Sequence, residues 1–273
     1  MSEPTRRRGR PRNAKDTVGT VQVLDRALDM LDLLAAHPGL TLSEVAERME
    51  QSPSTAHRLL HSLAARGMVE SDPTTQAWNI GPAAFRLGSA FMRRSGIVER
   101  ARPILRTLME HTGETANLGI LNGDAVLFIS QAETHETIRA FFPPGTRSPL
   151  HASGIGKALL AFGRADILRG YLTSHGLTRF TDRTLVTPES LVADMDRIRS
   201  RGFSFDDEER TRGMRCIAAP VFDLTGEAIA GVSVSGPTHR IGHEHVKTLG
   251  AAVVAAAADL SQAMGGPGAA PLS

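Results

Sequence analysis

The 273-residue chain has one cysteine, Cys216. That excludes a disulfide framework within the chain and any multi-cysteine metal site, and it fits a reducing compartment. Long apolar runs are also missing: the longest, residues 251–258, is too short to span a bilayer. The arginine-rich start lacks the apolar stretch of a signal peptide, so the expected location is the cytoplasm, with no membrane partner. Two nucleotide-binding patterns fail around Gly156-Lys157. A P-loop needs glycine where His151 stands and Ser or Thr where Ala158 stands, and a Rossmann fingerprint needs glycine where Leu159 stands. ATP binding is excluded and no cofactor is expected.

What is present divides unevenly. The net charge of +2 conceals an arm, residues 1–15, that carries +5, while residues 20–81 hold 4 Lys or Arg against 8 Asp or Glu, a net −4. Residues 1–19 are too poor in apolar side chains to fold alone and read as a disordered basic arm. Within it Arg8-Gly9-Arg10-Pro11 resembles an AT-hook core, whose arginines enter the A·T minor groove; a sequence-blind polybasic tail is the alternative.

The stretch SPSTAHRLLHSLAAR (52–66) has strong helix boundaries: Ser52 as N-cap, Pro53 at the first helical position and Gly67 after the last turn. Ala56, Leu59, Leu60 and Leu63 form one apolar stripe. The opposite face carries Ser54, Thr55, Arg58 and His61, with Ser52 at the tip, a set suited to phosphate oxygens and base edges. Many amphipathic helices have such a face and are only solvated, so the order of elements matters more. A helix over 21–36 precedes it, with Leu24, Ala27, Leu28, Leu31 and Leu34 at helical spacing. Next comes a short helix opened by a Thr41/Glu44 capping box. Strands at 68–71 and 77–80 follow, around the turn residues Asp72-Pro73. Helix, helix-turn-helix, hairpin is a winged helix-turn-helix over 20–81, which points to double-stranded DNA. A connecting helix over 82–94 with Ala84, Phe85, Leu87 and Phe91 is too apolar for a solvated linker; a second copy of the chain suits it, because a palindromic site needs two-fold symmetry.

Residues 95–264 alternate element types. Strands are expected at 115–121, 125–131, 138–142, 203–207, 216–223 and 228–235, and helices at 95–111, 154–162, 165–173, 188–201 and 243–264, with a disordered tail over 265–273. An antiparallel sheet carrying helices makes the fold class α+β. HASGIGKA (151–158) enters a helix through glycines, where backbone N–H groups can meet an anion; a glycine-capped helix packed on the sheet explains it equally well. Ser233 and Ser235 share one face of a strand, and Cys216 opens its hairpin partner. Asp206, Asp207, Glu208 and Glu209 sit at the end of another strand and read either as part of a small anion site or as a solvated strand end. A catalytic thiol needs a base, and neither His151 nor His175 can be placed beside Cys216 from sequence. His239, His243 and His245 invite a metal reading, but Gly236-Pro237 and Gly242 make this stretch a loop and helix start, so no metal site is expected.

LTLSEVAERM, SPSTAHRLLHSL, HASGIGKALLA, FDDEE with GMRCIAAPVFD, and GVSVSGP together resemble the IclR family of bacterial transcription regulators over about residues 21–264. The resemblance implies a winged helix, a connecting helix and a GAF-like effector domain, in dimers or tetramers, on palindromic operators. It is nearest to the family's glyoxylate-responsive members, whose pocket positions correspond to Gly154, Ile155, Asp206, Cys216, Ser233 and Ser235. It further implies that the amides of Gly154 and Ile155 hold a carboxylate, that the serines and Cys216 contact its oxygens, and that Asp206 accepts from a hydrated aldehyde. Pyruvate or another short 2-oxo acid competes with glyoxylate as the effector. A metabolic enzyme acting on a small 2-oxo acid through Cys216 is the alternative from another class.

Overall fold

A computed structural model describes residues 21–174 and 176–267. The basic arm, with Arg8 and Arg10, lies outside the described residues, as does His175. The chain divides into two compact units between Arg94 and Ser95.

In the first unit, α1 (Gln22–Ala36), α2 (Leu42–Arg48) and α3 (Pro53–Ala64) precede an antiparallel hairpin of β1 (Val69–Ser71) and β2 (Trp78–Ile80). The starts of α2 and α3 follow from their caps. Thr41 and Glu44 form both halves of a capping box, and Ser52 Oγ accepts from Thr55 N with Pro53 in the first turn. At the hairpin tip Asp72 Oδ1 accepts from the backbone of Thr74 and Thr75, at 2.7 and 3.0 Å, which fixes the turn. The core gathers Met30, Leu34, Val45, Ala56, Leu60, Val69 and Trp78. The expected α1 stripe splits in two: Leu34 is buried, whereas Leu24 and Leu28 are 57% and 51% exposed beside the exposed Val21 and Val23. A small three-helix core is filled by one stripe of α1, so its second apolar stripe stays uncovered. Helix α4 (Pro82–Ser95) likewise exposes Phe85 and Leu87.

The second unit begins with α5 (Ile97–Thr112), entered through Gly96 at φ +62°, a left-handed conformation that separates it from α4. Strands β3 (Thr115–Asn122), β4 (Ala125–Ala132) and β5 (Arg147–Pro149) are followed by a 3-10 turn, Leu150–Ala152, and α6 (Gly154–Phe162). Then come α7 (Ala165–Ser174), α8 (Pro188–Arg201), β6 (Ser204–Asp207), β7 (Met214–Phe222), β8 (Ala228–Pro237) and α9 (Val246–Ala263). Among the described residues the strands form one antiparallel sheet in the order β5-β4-β3-β8-β7-β6.

Both faces of the sheet are covered. Ile217, Ala219, Val232 and Val234 are buried on the face toward α9 and α5. Helix α6 closes the other face over Val126 and Ala218. Its close approach depends on small residues: a Cβ on Gly231 would stand 2.8 Å from Ile155 Cγ2. The strand expected at 138–142 is absent. That segment is irregular, with Ile138 and Phe141 62% and 61% exposed, and the short β5 takes the sheet edge instead. The alternation of Ile138, Ala140 and Phe142 looks strand-like, but Pro143-Pro144 removes two amide donors from any ladder that would continue it. The 243–264 helix also starts later than expected, as a 3-10 turn His243–His245 leading into α9. The expected free tail is bridged at its first residue, Gly265 pairing with Asp223.

Candidate functional site

Strand pairing assembles the candidate pocket. Asp206 on β6 stands opposite Cys216 on β7, Cys216 opposite Ser235 on β8, and Ser235 opposite Thr115 on β3. The next row on the same face is Ser204, Ala218, Ser233, Asn117 and Gln131. Helix α6 enters over these rows. Ser204 Oγ donates to Gly154 O at 2.6 Å, and a Cβ on Gly154 would stand 2.7 Å from Cys216 Sγ. Gly154, Asp206, Cys216, Ser233 and Ser235 thus come together as the sequence suggested. Ile155 is fully buried and its side chain packs on Gly119 and Gly231 of the sheet, so only its backbone is available to a ligand.

Polar groups concentrate here inside an otherwise apolar sandwich. Ser233 and Asn117 are 0% exposed, yet Asn117 Nδ2 reaches Ser233 Oγ and Ser235 Oγ only at 3.4 and 3.5 Å. Asn117 Oδ1 and Gln131 Nε2 are buried with no hydrogen-bond partner among the described residues. Buried polar atoms rarely go unpaired, because each forfeits its hydration without return. An acceptor and a donor left open in adjacent positions are what a small polar ligand would satisfy. Cys216 keeps partial exposure. Burial, and then the neighbouring Asp206, push its thiol up to about 11, against hydrogen bonds from Ser235, Ser233 and the Gly154 N–H. It is a neutral thiol at physiological pH.

The acidic run is not a solvated strand end. Asp206 and Glu209 are buried, with Asp206 Oδ1 accepting from Glu209 N at 2.8 Å. Asp207 is tied to Arg183 and to Arg215 Nε, at 2.5 and 2.6 Å. Beneath them lies Lys157, 0% exposed, whose Nζ donates to Asp194 Oδ2 at 2.8 Å, Phe205 O at 2.7 Å and Glu209 Oε1 at 2.5 Å. Burial works against the lysine's charge, but Glu209, Asp194 and Asp206 hold its pKa above the ordinary value. Burial lifts Glu209 to about 8 and raises Asp206 as well, despite Lys157. No sequence signal marks Asn117 or Gln131, and Lys157 enters the sequence reading only against the P-loop pattern. The available signal for Lys157 was its place as the one charged residue in the helix GIGKALLAF.

His151 is occupied elsewhere. Its Nε2 donates to Thr178 O at 3.0 Å and its Nδ1 lies 2.7 Å from Tyr171 Oη, a pairing open to a neutral ring that clamps the 3-10 turn before α6. Burial lowers its pKa, supporting the same neutral form. His243 Nε2 faces Arg215 Nη2 at 2.8 Å, and His245 Nδ1 faces Arg240 O at 3.2 Å.

On α3, Ser52, Ser54, Arg58 and His61 are exposed and Thr55 is half-buried. The hydroxyl cluster is internally bonded, Ser52 Oγ lying 2.9 Å from Thr55 Oγ1 and 3.1 Å from Ser54 Oγ. Arg58 projects from the face opposite the buried Ala56 and Leu60 and forms no ion pair among the described residues. His61 rests edge-on to Trp78, ring centroids 5.8 Å apart, and beside His57 at 4.2 Å. It therefore also braces the helix against the hairpin.

A winged helix-turn-helix followed by a helix-covered antiparallel sheet with a buried polar cluster under one helix is the architecture of a transcription regulator. The family model for the IclR helix-turn-helix domain matches residues 23–73, and that for the bacterial transcriptional regulator IclR C-terminal region matches residues 89–262. The chain belongs to the IclR family, and it is an IclR-type transcriptional regulator. It is 64% identical over 270 residues to the HTH-type transcriptional regulator BhcR of Paracoccus denitrificans, covering 97% of this chain and 96% of that one. To the transcriptional repressor IclR of Escherichia coli it is 39% identical, covering 91% and 92% of the two chains. The crystal structure of the Thermotoga maritima IclR superposes with a TM-score of 0.74 at 29% identity, over 90% of this chain and all of that one. Among the described residues no helix is long and apolar enough to cross a membrane.

Proposed function

We propose that this regulator binds a palindromic operator as a homodimer, or as a homotetramer of paired dimers, and that glyoxylate bound in the second unit controls that binding. The observation that carries the effector reading is the polar island of Asn117, Ser233, Ser235, Cys216 and Asp206, with Asn117 Oδ1 and, on the neighbouring strand, Gln131 Nε2 unpaired among the described residues. Only a small, oxygen-rich molecule suits such a set. The amides of Gly154 and Ile155 take its carboxylate, Ser233, Ser235 and Cys216 contact its oxygens, and Asp206 accepts from the hydrated aldehyde. The likeness to glyoxylate-responsive family members at these six positions favours glyoxylate over pyruvate. An enzyme working through Cys216 is disfavoured: a nucleophilic thiol needs a lowered pKa, and this one is pushed up to about 11.

Ser52, Ser54, Thr55, Arg58 and His61 face the operator in this reading, and Arg8 and Arg10 of the arm add phosphate or minor-groove contacts. The uncovered apolar side chains of α1 and α4, Leu24, Leu28, Phe85 and Leu87 among them, support pairing of two copies. The domain limits 20–81, 82–94 and 95–264 assign these roles to separate parts of the chain. Fluorescence anisotropy with the DNA upstream of the protein's own gene, with and without glyoxylate or pyruvate, tests the reading. A specific complex whose affinity changes with glyoxylate and less with pyruvate is expected. Specific binding indifferent to both acids would remove the effector assignment.

A further inference from the structure

The effector site proposed above must hold an anion, yet its nearest charged groups are acidic. Among the described residues Lys157 on α6 is the one cation hydrogen-bonded to Glu209 after β6, and it also faces Asp194 on α8, with Asp206 alongside. Asp194 is satisfied twice, by Lys157 at Oδ2 and by Arg197 Nη2 at Oδ1, 3.0 Å away. Arg201, also on α8, is anchored on Phe203 O at 2.6 Å and acts on Asp194 and Glu209 only through its field. Asp207 is neutralised outward by Arg183 and Arg215, with His243 Nε2 3.8 Å from it. Cys216 on β7 stays a thiol. That leaves the pair Asp206 and Glu209 with one directly bonded cation, Lys157 on Glu209, and among the described residues Glu209 Oε2 is buried with no hydrogen-bond partner.

An ionised oxygen in that position is costly, and an anionic ligand whose hydrated aldehyde meets Asp206 brings another negative charge into the same desolvated space. A proton on Glu209 Oε2 removes one of the charges without moving any side chain. We propose that the site accepts its anionic effector only while the Asp206–Glu209 pair holds a proton, so that effector affinity is governed by pH on the alkaline side. This rests on the effector reading above. Burial places the Glu209 carboxyl at about 8, so the proton is already present at neutral pH and must be recruited by the ligand only above that value.

Isothermal titration calorimetry of the full chain with glyoxylate, from about pH 6.5 to pH 9.5 in buffers without primary amines, tests this. The expected Kd is level up to about pH 7.5 and then weakens by about tenfold per pH unit, while proton uptake, from paired buffers of different protonation enthalpy, climbs toward one. In Glu209→Gln, which keeps the side-chain shape, the alkaline slope should fall by at least half, whatever affinity remains at neutral pH. A level Kd to pH 9.5 with no proton uptake, or an unchanged slope in Glu209→Gln, overturns the inference and leaves the effector reading standing. No binding of glyoxylate or pyruvate at any pH overturns both.

Discussion

Gly154 and Cys216 are in van der Waals contact where α6 meets β7: a Cβ at Gly154 would lie 2.7 Å from Cys216 Sγ and 3.4 Å from Ala218 Cβ. The glycine therefore sets how deeply the helix start sinks toward the polar island, and with it where the amides of Gly154 and Ile155 point. Gly154→Ala is expected to destabilise the second unit by about 1–3 kcal/mol through overpacking. Adding Cys216→Ala, which removes the clashing sulfur, should return most of that loss. Urea unfolding of the two single variants and the double variant measures the coupling; additive effects would mean that the two residues do not touch.

Arg58 projects from α3 opposite the buried Ala56 and Leu60. If it reads a base, Arg58→Ala costs on the order of 1–3 kcal/mol of operator affinity and relaxes selectivity at one position of each half-site. Effector affinity should be untouched. Binding of a set of operator variants gives the answer, and parent-like affinity across the set would show that this face does not enter the groove.

The basic arm is tested through salt. Residues 1–15 carry +5 beside a net −4 winged helix, so removing them should lower affinity for all DNA and flatten the dependence of log K on log salt by about 0.9 for each phosphate the arm had neutralised. An unchanged slope would exclude the arm from the interface. If Arg10 enters a minor groove, Arg10→Ala should weaken A·T-flanked sites more than G·C-flanked ones.

The raised pKa of Glu209 makes stability depend on pH. The folded chain holds a proton up to about pH 8 that the unfolded chain releases near 4.5. More protons bound in the folded state means that stability falls as pH rises through this window, the loss being complete above pH 8. Glu209→Gln has no such proton to lose. It should gain on the parent by about 1–3 kcal/mol between pH 5.5 and pH 8.5. Denaturation at both pH values decides it, and a constant difference would mean that Glu209 ionises normally.

The caps and turns that organise the first unit were legible because they are local: Thr41 with Glu44, Ser52 with Thr55, and Asp72 with Thr74 lie within three residues of each other. The pocket was partly legible. Ser233 and Ser235 share a face by strand period alone, and Gly154 marks a helix start. Asn117 was not legible, because its partners Ser233 and Ser235 are 116 and 118 residues away and meet it only through the β3–β8 pairing. Lys157 enters the sequence reading only against the P-loop pattern, and its role depends on Asp194 and Glu209, 37 and 52 residues further on. The false strand at 138–142 and the missed β5 share a cause: at a sheet edge, alternation and proline content no longer distinguish a paired segment from a loop.

Removing the serines tests the central claim that a small anion in this pocket governs DNA binding. Labelled operator DNA should be followed by fluorescence anisotropy during a glyoxylate titration, with the parent and with the combined Ser233→Ala and Ser235→Ala changes. The double variant should bind operator as the parent does without ligand, while its response shifts to glyoxylate concentrations roughly tenfold or more higher, because about 1–3 kcal/mol is lost for each polar partner removed from a buried ligand. A glyoxylate response in the double variant at the parent's concentration would contradict it.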